Sequence, residues 1–141
     1  MKPFISHSRA ETVTWASKFT TSLKGGEVIS MEGNLGAGKT VISKGIAKWL
    51  GITEVVNSPT FVLMKVYPAH HGKIVNFVHV DAYRLFGHEE LLNIGLGDYL
   101  GQPDSVVVIE WGDKVKEILP HKAIRIKVTQ IGENSREIVV T

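Results

Sequence analysis

The chain has 141 residues, no cysteine and a formal charge of +2, with a calculated pI near 8.9. That length suits one domain with a real core (1–141), and the missing thiols exclude disulfides, thiolate metal centres and cysteine nucleophiles. With 43% hydrophobic and 21% charged residues, no signal-like apolar core after Met1 and no apolar run near 18 residues, a soluble cytoplasmic protein without a membrane segment is expected.

Taken in chain order, residues 9–24 are expected to form a helix, with Ser8 placed to cap it and Glu11 three residues on, as in a capping box. Gly25-Gly26 breaks it. Glu27 to Met31 then reads as a short, largely buried strand.

Gly33-Asn34-Leu35-Gly36-Ala37-Gly38-Lys39-Thr40 follows, a complete Gly-x-x-x-x-Gly-Lys-Thr element between that strand and a helix carrying Ile42, Ile46 and Leu50 at helical spacing. Glycines let successive backbone N–H groups turn inward as a nest for anionic oxygens. The positive end of the new helix adds to the same field. Lys39 offers a mobile charge for β- and γ-phosphates, and the Thr40 hydroxyl is placed to ligate Mg²⁺.

Gly51 is a natural helix stop, and Pro59 keeps Ser58 extended in a loop over Val55 to Pro59. Phe61–Tyr67 and Ile74–Val80 are strand candidates joined through Pro68 to Gly72, which suggests a hairpin. A short helix is expected at Glu89–Asn93, before the glycine-punctuated stretch Gly95 to Gly101. Val106–Ile109 is an uninterrupted apolar run of the kind found in a central strand covered on both faces. Ala123–Val128 and Arg136–Val140 complete the chain as strands around a Gly132-Glu133-Asn134 turn. The fold class is therefore α/β, a P-loop NTPase-like mixed β-sheet flanked by helices.

Two acids stand where apolar strands run out: Asp81 after Phe77–Val80 and Glu110 after Val106–Ile109. Ligands of open α/β sheets bind beyond the carboxyl ends of strands, so either carboxylate can meet Mg²⁺ or an attacking water. Glu110, on the more hydrophobic strand, is the stronger candidate. Ser58-Pro59-Thr60-Phe61 offers hydroxyls in an extended loop that could close on the metal and γ-phosphate. Trp111 could flank the site, although a half-buried packing Trp is commoner. His70, His71 and His79 lack metal-ligand spacing; His79 reads as a structural, hydrogen-bonded histidine sharing a strand face with Asp81.

The chain has no Asn-Lys-x-Asp for guanine, and Asp98-Tyr99-Leu100-Gly101 mimics a GTPase switch without an apolar strand before it. Only four arginines (9, 84, 125 and 136) argue against an arginine-bearing kinase lid. Its densest basic stretch, Lys114 to Lys127, is diluted by Glu117 and apolar residues and reads as a solvated face rather than a nucleic-acid surface. These features leave an ATPase working through a partner protein, a P-loop phosphotransferase for a small molecule, or a low-turnover nucleotide switch.

Gly33 to Thr40, Ser58-Pro59-Thr60-Phe61, His79-Val80-Asp81-Ala82-Tyr83-Arg84-Leu85 and Ile109-Glu110-Trp111, in this order over nearly the whole chain, resemble the bacterial TsaE (YjeE) ATPases of tRNA threonylcarbamoyladenosine biosynthesis. The resemblance implies a small ATPase acting with TsaB and TsaD, and with tRNA indirectly through that assembly. The assembly transfers threonylcarbamoyl to the adenosine beside the anticodon of ANN-decoding tRNAs. It implies ATP/ADP and Mg²⁺ as cofactors, with Gly33, Asn34, Leu35, Gly36, Ala37, Gly38, Lys39, Thr40 and Val41 around the nucleotide. It further makes Thr40 and Glu110 the metal ligands and Thr60 a switch residue. Asp81 becomes a polar contributor near the γ-phosphate and Trp111 a flank of the site. Thr12 and Arg136 match nucleotide contacts. Asn34 stands where the family commonly has Asp, and Gly112 where Pro often follows Glu-Trp.

Overall fold

The apolar run predicted as a central strand, Ser105–Glu110, has all six residues buried and lies inside a seven-stranded mixed sheet. This computed structural model describes every residue except 1, 35, 55, 57–62 and 86. Its strands are β1 (Phe4–Ser6), β2 (Val28–Glu32), β3 (Met64–His71), β4 (Ile74–Asp81), β5 (Ser105–Glu110), β6 (Ile124–Gln130) and β7 (Arg136–Val140). The helices are α1 (Arg9–Thr20), α2 (Lys39–Trp49) and α3 (Glu89–Asn93), with 3-10 segments at Leu96–Asp98 and Gly112–Ile118. Spatial order is β1-β7-β6-β2-β5-β4-β3. β6, β2, β5 and β4 run parallel, whereas β1, β7 and β3 pair antiparallel.

Alternation along β5 sorts the core into two layers. Val106 and Val108 join Ile29, Met31 and Phe77 beneath α1 and α2, which contribute Ala16, Ile42, Ile46 and Leu50. Val107 and Ile109 join Val28, Val78 and Val80 on the other face, under Leu91, Leu96 and Val115. Both faces are thus closed over β5, as an uninterrupted apolar strand requires. Among the described residues no helix is long and apolar enough to cross a membrane.

Three expectations shift. The first helix ends at Thr20, short of residue 24, because Thr21 and Ser22 turn their hydroxyls back onto the carbonyls of Lys18 and Phe19 at 2.6 and 2.7 Å. Ser8 nevertheless caps its start, accepting from the Glu11 N–H at 3.1 Å. β3 continues through Pro68 to His71, so the hairpin turn shrinks to two residues, Gly72 and Lys73. Proline is tolerated there because β3 is the edge strand and its register shifts between Pro68 and His71, while Tyr67 and Ala69 stay buried. Phe61 and Val62 of the expected strand, and most of the Val55 to Pro59 loop, lie outside the described residues. β1 was not expected at all: three residues carry no readable period, and it exists by pairing with β7 at the other end of the chain.

Candidate functional site: a glycine loop facing two carboxylates

β2 delivers the chain into the glycine loop, and α2 begins at Lys39. Gly33, at φ +143°, must be glycine on two counts, since a Cβ there would also stand 2.3 Å from the Val128 carbonyl oxygen. Gly38, at φ +111°, is the residue before the helix and offers no side-chain cap, so the positive end of α2 is turned to the loop. From β7 the Arg136 Nε donates to the Ala37 carbonyl at 2.8 Å, which braces the loop from outside. Asn34 is exposed, Ala37 buried, and Val41 half-buried in the first turn of α2. Leu35 lies outside the described residues.

Lys39 is 5% exposed, and its ammonium donates to the carbonyls of Gly33 at 2.5 Å and Asn34 at 2.8 Å. It also lies 4.0 Å from the centre of the Trp111 ring. Burial pushes its pKa down, against the pull of Glu110, Asp113 and Asp81. Among the described residues no carboxylate forms an ion pair with this cation, which is held on neutral carbonyls and a π-face and so is suited to receive phosphate oxygens.

The Thr40 hydroxyl donates to Glu110 Oε1 at 3.0 Å. Glu110 is 3% exposed, and its other oxygen pairs with His79 Nε2. Asp81 sits opposite Glu110 in the β4–β5 register, half-buried, accepting from the Tyr83 N–H at 2.9 Å. Burial raises the Asp81 pKa and Glu110 raises it further, while the Tyr83 N–H, His79 and Lys39 oppose the rise.

Trp111 leaves β5 at φ +63°, the one described non-glycine residue with a positive φ. Its backbone N–H donates to the Met31 carbonyl at 2.9 Å, and its ring meets Tyr83 with centroids 4.9 Å apart. The ring is half-buried against the second core layer and also borders the site, so packing and flanking roles coincide.

These groups enclose a cleft of about 250 Å³, lined from the loop by Gly36, Gly38, Lys39 and Thr40, and from β4 and β5 by Asp81, Tyr83, Glu110 and Trp111. A second cleft of about 650 Å³ opens on the other side of the loop, between Gly33, Asn34 and Ala37 and the end of β6 from Lys127 to Gln130. Among the described residues no set of three or more His, Cys, Asp or Glu is placed to hold a metal. The hydroxyl and carboxylate oxygens of Thr40 and Glu110 are instead a sparse, hard donor pair. Such a pair suits Mg²⁺, which keeps waters and takes other ligands from phosphates.

The structure therefore brings together Gly36, Gly38, Lys39, Thr40, Asp81, Glu110 and Trp111, and sets Arg136 against the loop from behind. Thr12 is not among them: it is buried, its hydroxyl 2.7 Å from Ser6 Oγ, and it lines neither cleft. Thr60, with Ser58, Pro59 and Phe61, lies outside the described residues. Two features escaped the sequence reading. The histidine expected to be hydrogen-bonded pairs with Glu110 on the neighbouring strand, a pairing that needs the β4–β5 register. The β6 residues of the larger cleft carry no motif. One available signal was Gly112, directly after Glu-Trp: a Cβ there would lie 2.1 Å from Ser30 Oγ.

A model of the family described as "Threonylcarbamoyl adenosine biosynthesis protein TsaE" matches residues 6–138. The tRNA threonylcarbamoyladenosine biosynthesis protein TsaE of Bacillus subtilis is 39% identical over 132 residues, covering 93% of this chain and 79% of that protein. The TsaE of Treponema pallidum is 38% identical over 136 residues, covering 96% of this chain and 97% of that one. The crystal structure of Bacillus subtilis YdiB superposes with a TM-score of 0.77 at 33% identity, covering 97% of this chain and 82% of that one. By the extent of the family match and by these identities, the chain belongs to the TsaE family of threonylcarbamoyl adenosine biosynthesis proteins.

Proposed function

We propose that this chain is a Mg²⁺-dependent ATPase, built as one P-loop domain. In this reading it acts with TsaB and TsaD in the cytoplasm to support threonylcarbamoylation of adenosine in ANN-decoding tRNAs, meeting the tRNA only through that assembly. The observation that carries the reading is the Thr40 hydroxyl 3.0 Å from Glu110 Oε1, across a cleft bounded by a complete phosphate loop.

In this reading the backbone N–H groups of the glycine loop bind the α- and β-phosphates, with Arg136 holding the loop through Ala37. Lys39 exchanges its carbonyl partners for β- and γ-phosphate oxygens. Thr40 and Glu110 hold Mg²⁺, which when bound neutralises charge on the phosphate oxygens. Asp81 contacts the γ-phosphate end, and Thr60 serves as the switch hydroxyl. Trp111 and Tyr83 shield that end from bulk water. The larger cleft beside β6 has room for the nucleoside. Water attacks the γ-phosphorus, the bond to the bridging oxygen of ADP breaks, and inorganic phosphate leaves. Protein catalysis of this step is mainly positioning and charge stabilisation, and the residues named supply both.

The test is phosphate release by the chain alone and with TsaB and TsaD, with and without Mg²⁺. Metal-dependent release that rises with the partners is the expected result. A phosphorylated small molecule in place of free phosphate would move the assignment to a phosphotransferase, and binding without release to a nucleotide switch.

A further inference from the structure

Glu110 has a positional problem that the Mg²⁺ reading leaves open. A carboxylate 3% exposed is costly unless its oxygens are hydrogen-bonded, and a freely turning carboxylate would not present one chosen oxygen to Thr40. His79 is completely buried on β4, two residues before Asp81, and its Nε2 pairs with Glu110 Oε2. The pairing leaves Oε1 directed at the Thr40 hydroxyl, 3.0 Å away.

The imidazole is itself fixed. It is stacked on Phe77 with centroids 6.1 Å apart and 29° between planes, and it sits in a strand paired on both sides, with Lys65 and Val108 as register partners. Among the described residues its Nδ1 is buried without a hydrogen-bond partner. A proton on Nδ1 would be buried with no acceptor among the described residues, whereas a proton on Nε2 meets the Glu110 carboxylate.

We propose that His79 is a positioning residue: by donating from Nε2 it locks Glu110 with Oε1 toward Thr40 and so prepares the Mg²⁺ site before metal or nucleotide arrives. This rests on Glu110 being a metal ligand. A partner that orients a ligand in this way typically sets metal affinity by about 10- to 100-fold.

Two measurements test it. ¹⁵N NMR of the imidazole in the nucleotide- and metal-free protein should show a protonated Nε2; an unprotonated Nε2 overturns the proposal without reference to nucleotide chemistry. Calorimetry of ADP with and without Mg²⁺ should then compare wild type, His79→Gln, which keeps an N–H donor, and His79→Leu, which has none. Metal-free ADP affinity should agree among the three. The gain on adding Mg²⁺ should survive within about threefold in His79→Gln and fall at least tenfold in His79→Leu. An undiminished gain in a normally melting His79→Leu overturns the proposal. If His79→Leu does not fold, loss of the gain in a normally melting His79→Gln overturns it, and retention of the gain with the Nε2–H tautomer supports it. A wild type that binds no ADP counts against the nucleotide reading, and the NMR tautomer still tests separately whether Nε2 donates to Glu110.

Discussion

Asp81 and Glu110 stand opposite each other at the carboxyl ends of the adjacent parallel strands β4 and β5, both facing the cleft beside the glycine loop. The register makes two acids neighbours in a partly dehydrated place. Burial raises the Asp81 pKa above 3.8 and the Glu110 charge raises it further, despite help from the Tyr83 N–H, His79 and Lys39.

That shift has a sign in stability. The folded state holds the Asp81 proton more tightly than the unfolded chain does. The associated stability is therefore full below the unfolded value of 3.8 and is lost as pH rises through the raised folded value. Asp81→Asn, which keeps an oxygen for the Tyr83 N–H, should melt above wild type at pH 7 without metal or nucleotide. The gap should close toward pH 3.8. Calorimetric melting at several pH values checks this; a variant melting lower than wild type at pH 7 would show that the carboxylate is stabilising.

Glu110→Gln removes the negative charge facing Thr40 while nearly conserving shape. Turnover should fall by about a hundredfold or more, the scale seen when a pre-organised electrostatic group is lost, with ADP affinity within about threefold. Single-turnover phosphate release alongside calorimetry separates the two. Unchanged hydrolysis would transfer the metal-binding role to Asp81.

Lys39→Ala should weaken triphosphate binding at least tenfold, about 1.4 kcal/mol, because it removes the cation proposed to meet the β- and γ-phosphates. AMP, lacking both groups, should bind the variant and wild type alike. Equal ATP affinity in the two proteins would exclude a phosphate role for Lys39.

Gly112 allows the turn after β5 to press against β2. A Cβ would meet Ser30 Oγ at 2.1 Å and Ser30 Cβ at 2.7 Å, so Gly112→Ala should destabilise by about 1–3 kcal/mol in denaturant unfolding. Adding Ser30→Gly, which removes both atoms, should recover part of the loss. No recovery would mean that the turn backbone, and not this contact, sets the cost.

Trp111→Ala loses the Tyr83 contact, worth about 0.5–1.5 kcal/mol, and the face beneath the Lys39 ammonium. Partner-stimulated phosphate release should drop more than ADP affinity of the isolated chain. A fall in melting temperature with both activities declining together would instead mark Trp111 as a packing residue alone.

The sequence by itself determined whatever is encoded locally. The Ser8–Glu11 cap, the strand–loop–helix around Lys39 and the apolar β5 each depend on neighbours within a few positions or on the conformational needs of glycine. Such signals survive without knowing the fold. Beyond what the family resemblance implied for Thr40 and Glu110, the tertiary structure decided which distant groups meet. Thr40 and Glu110 are 70 positions apart, His79 and Glu110 31, and Arg136 and Ala37 99. Each contact needs a particular strand order, and hydrophobic alternation does not encode that order: it tells a strand which face to bury, and several orders would bury the same faces. The three-residue β1 and the cleft wall at Lys127 to Gln130 were hidden for the same reason. Their roles come from partners supplied by β7 and by the loop after β2, and no local pattern announces a partner so far away in the chain.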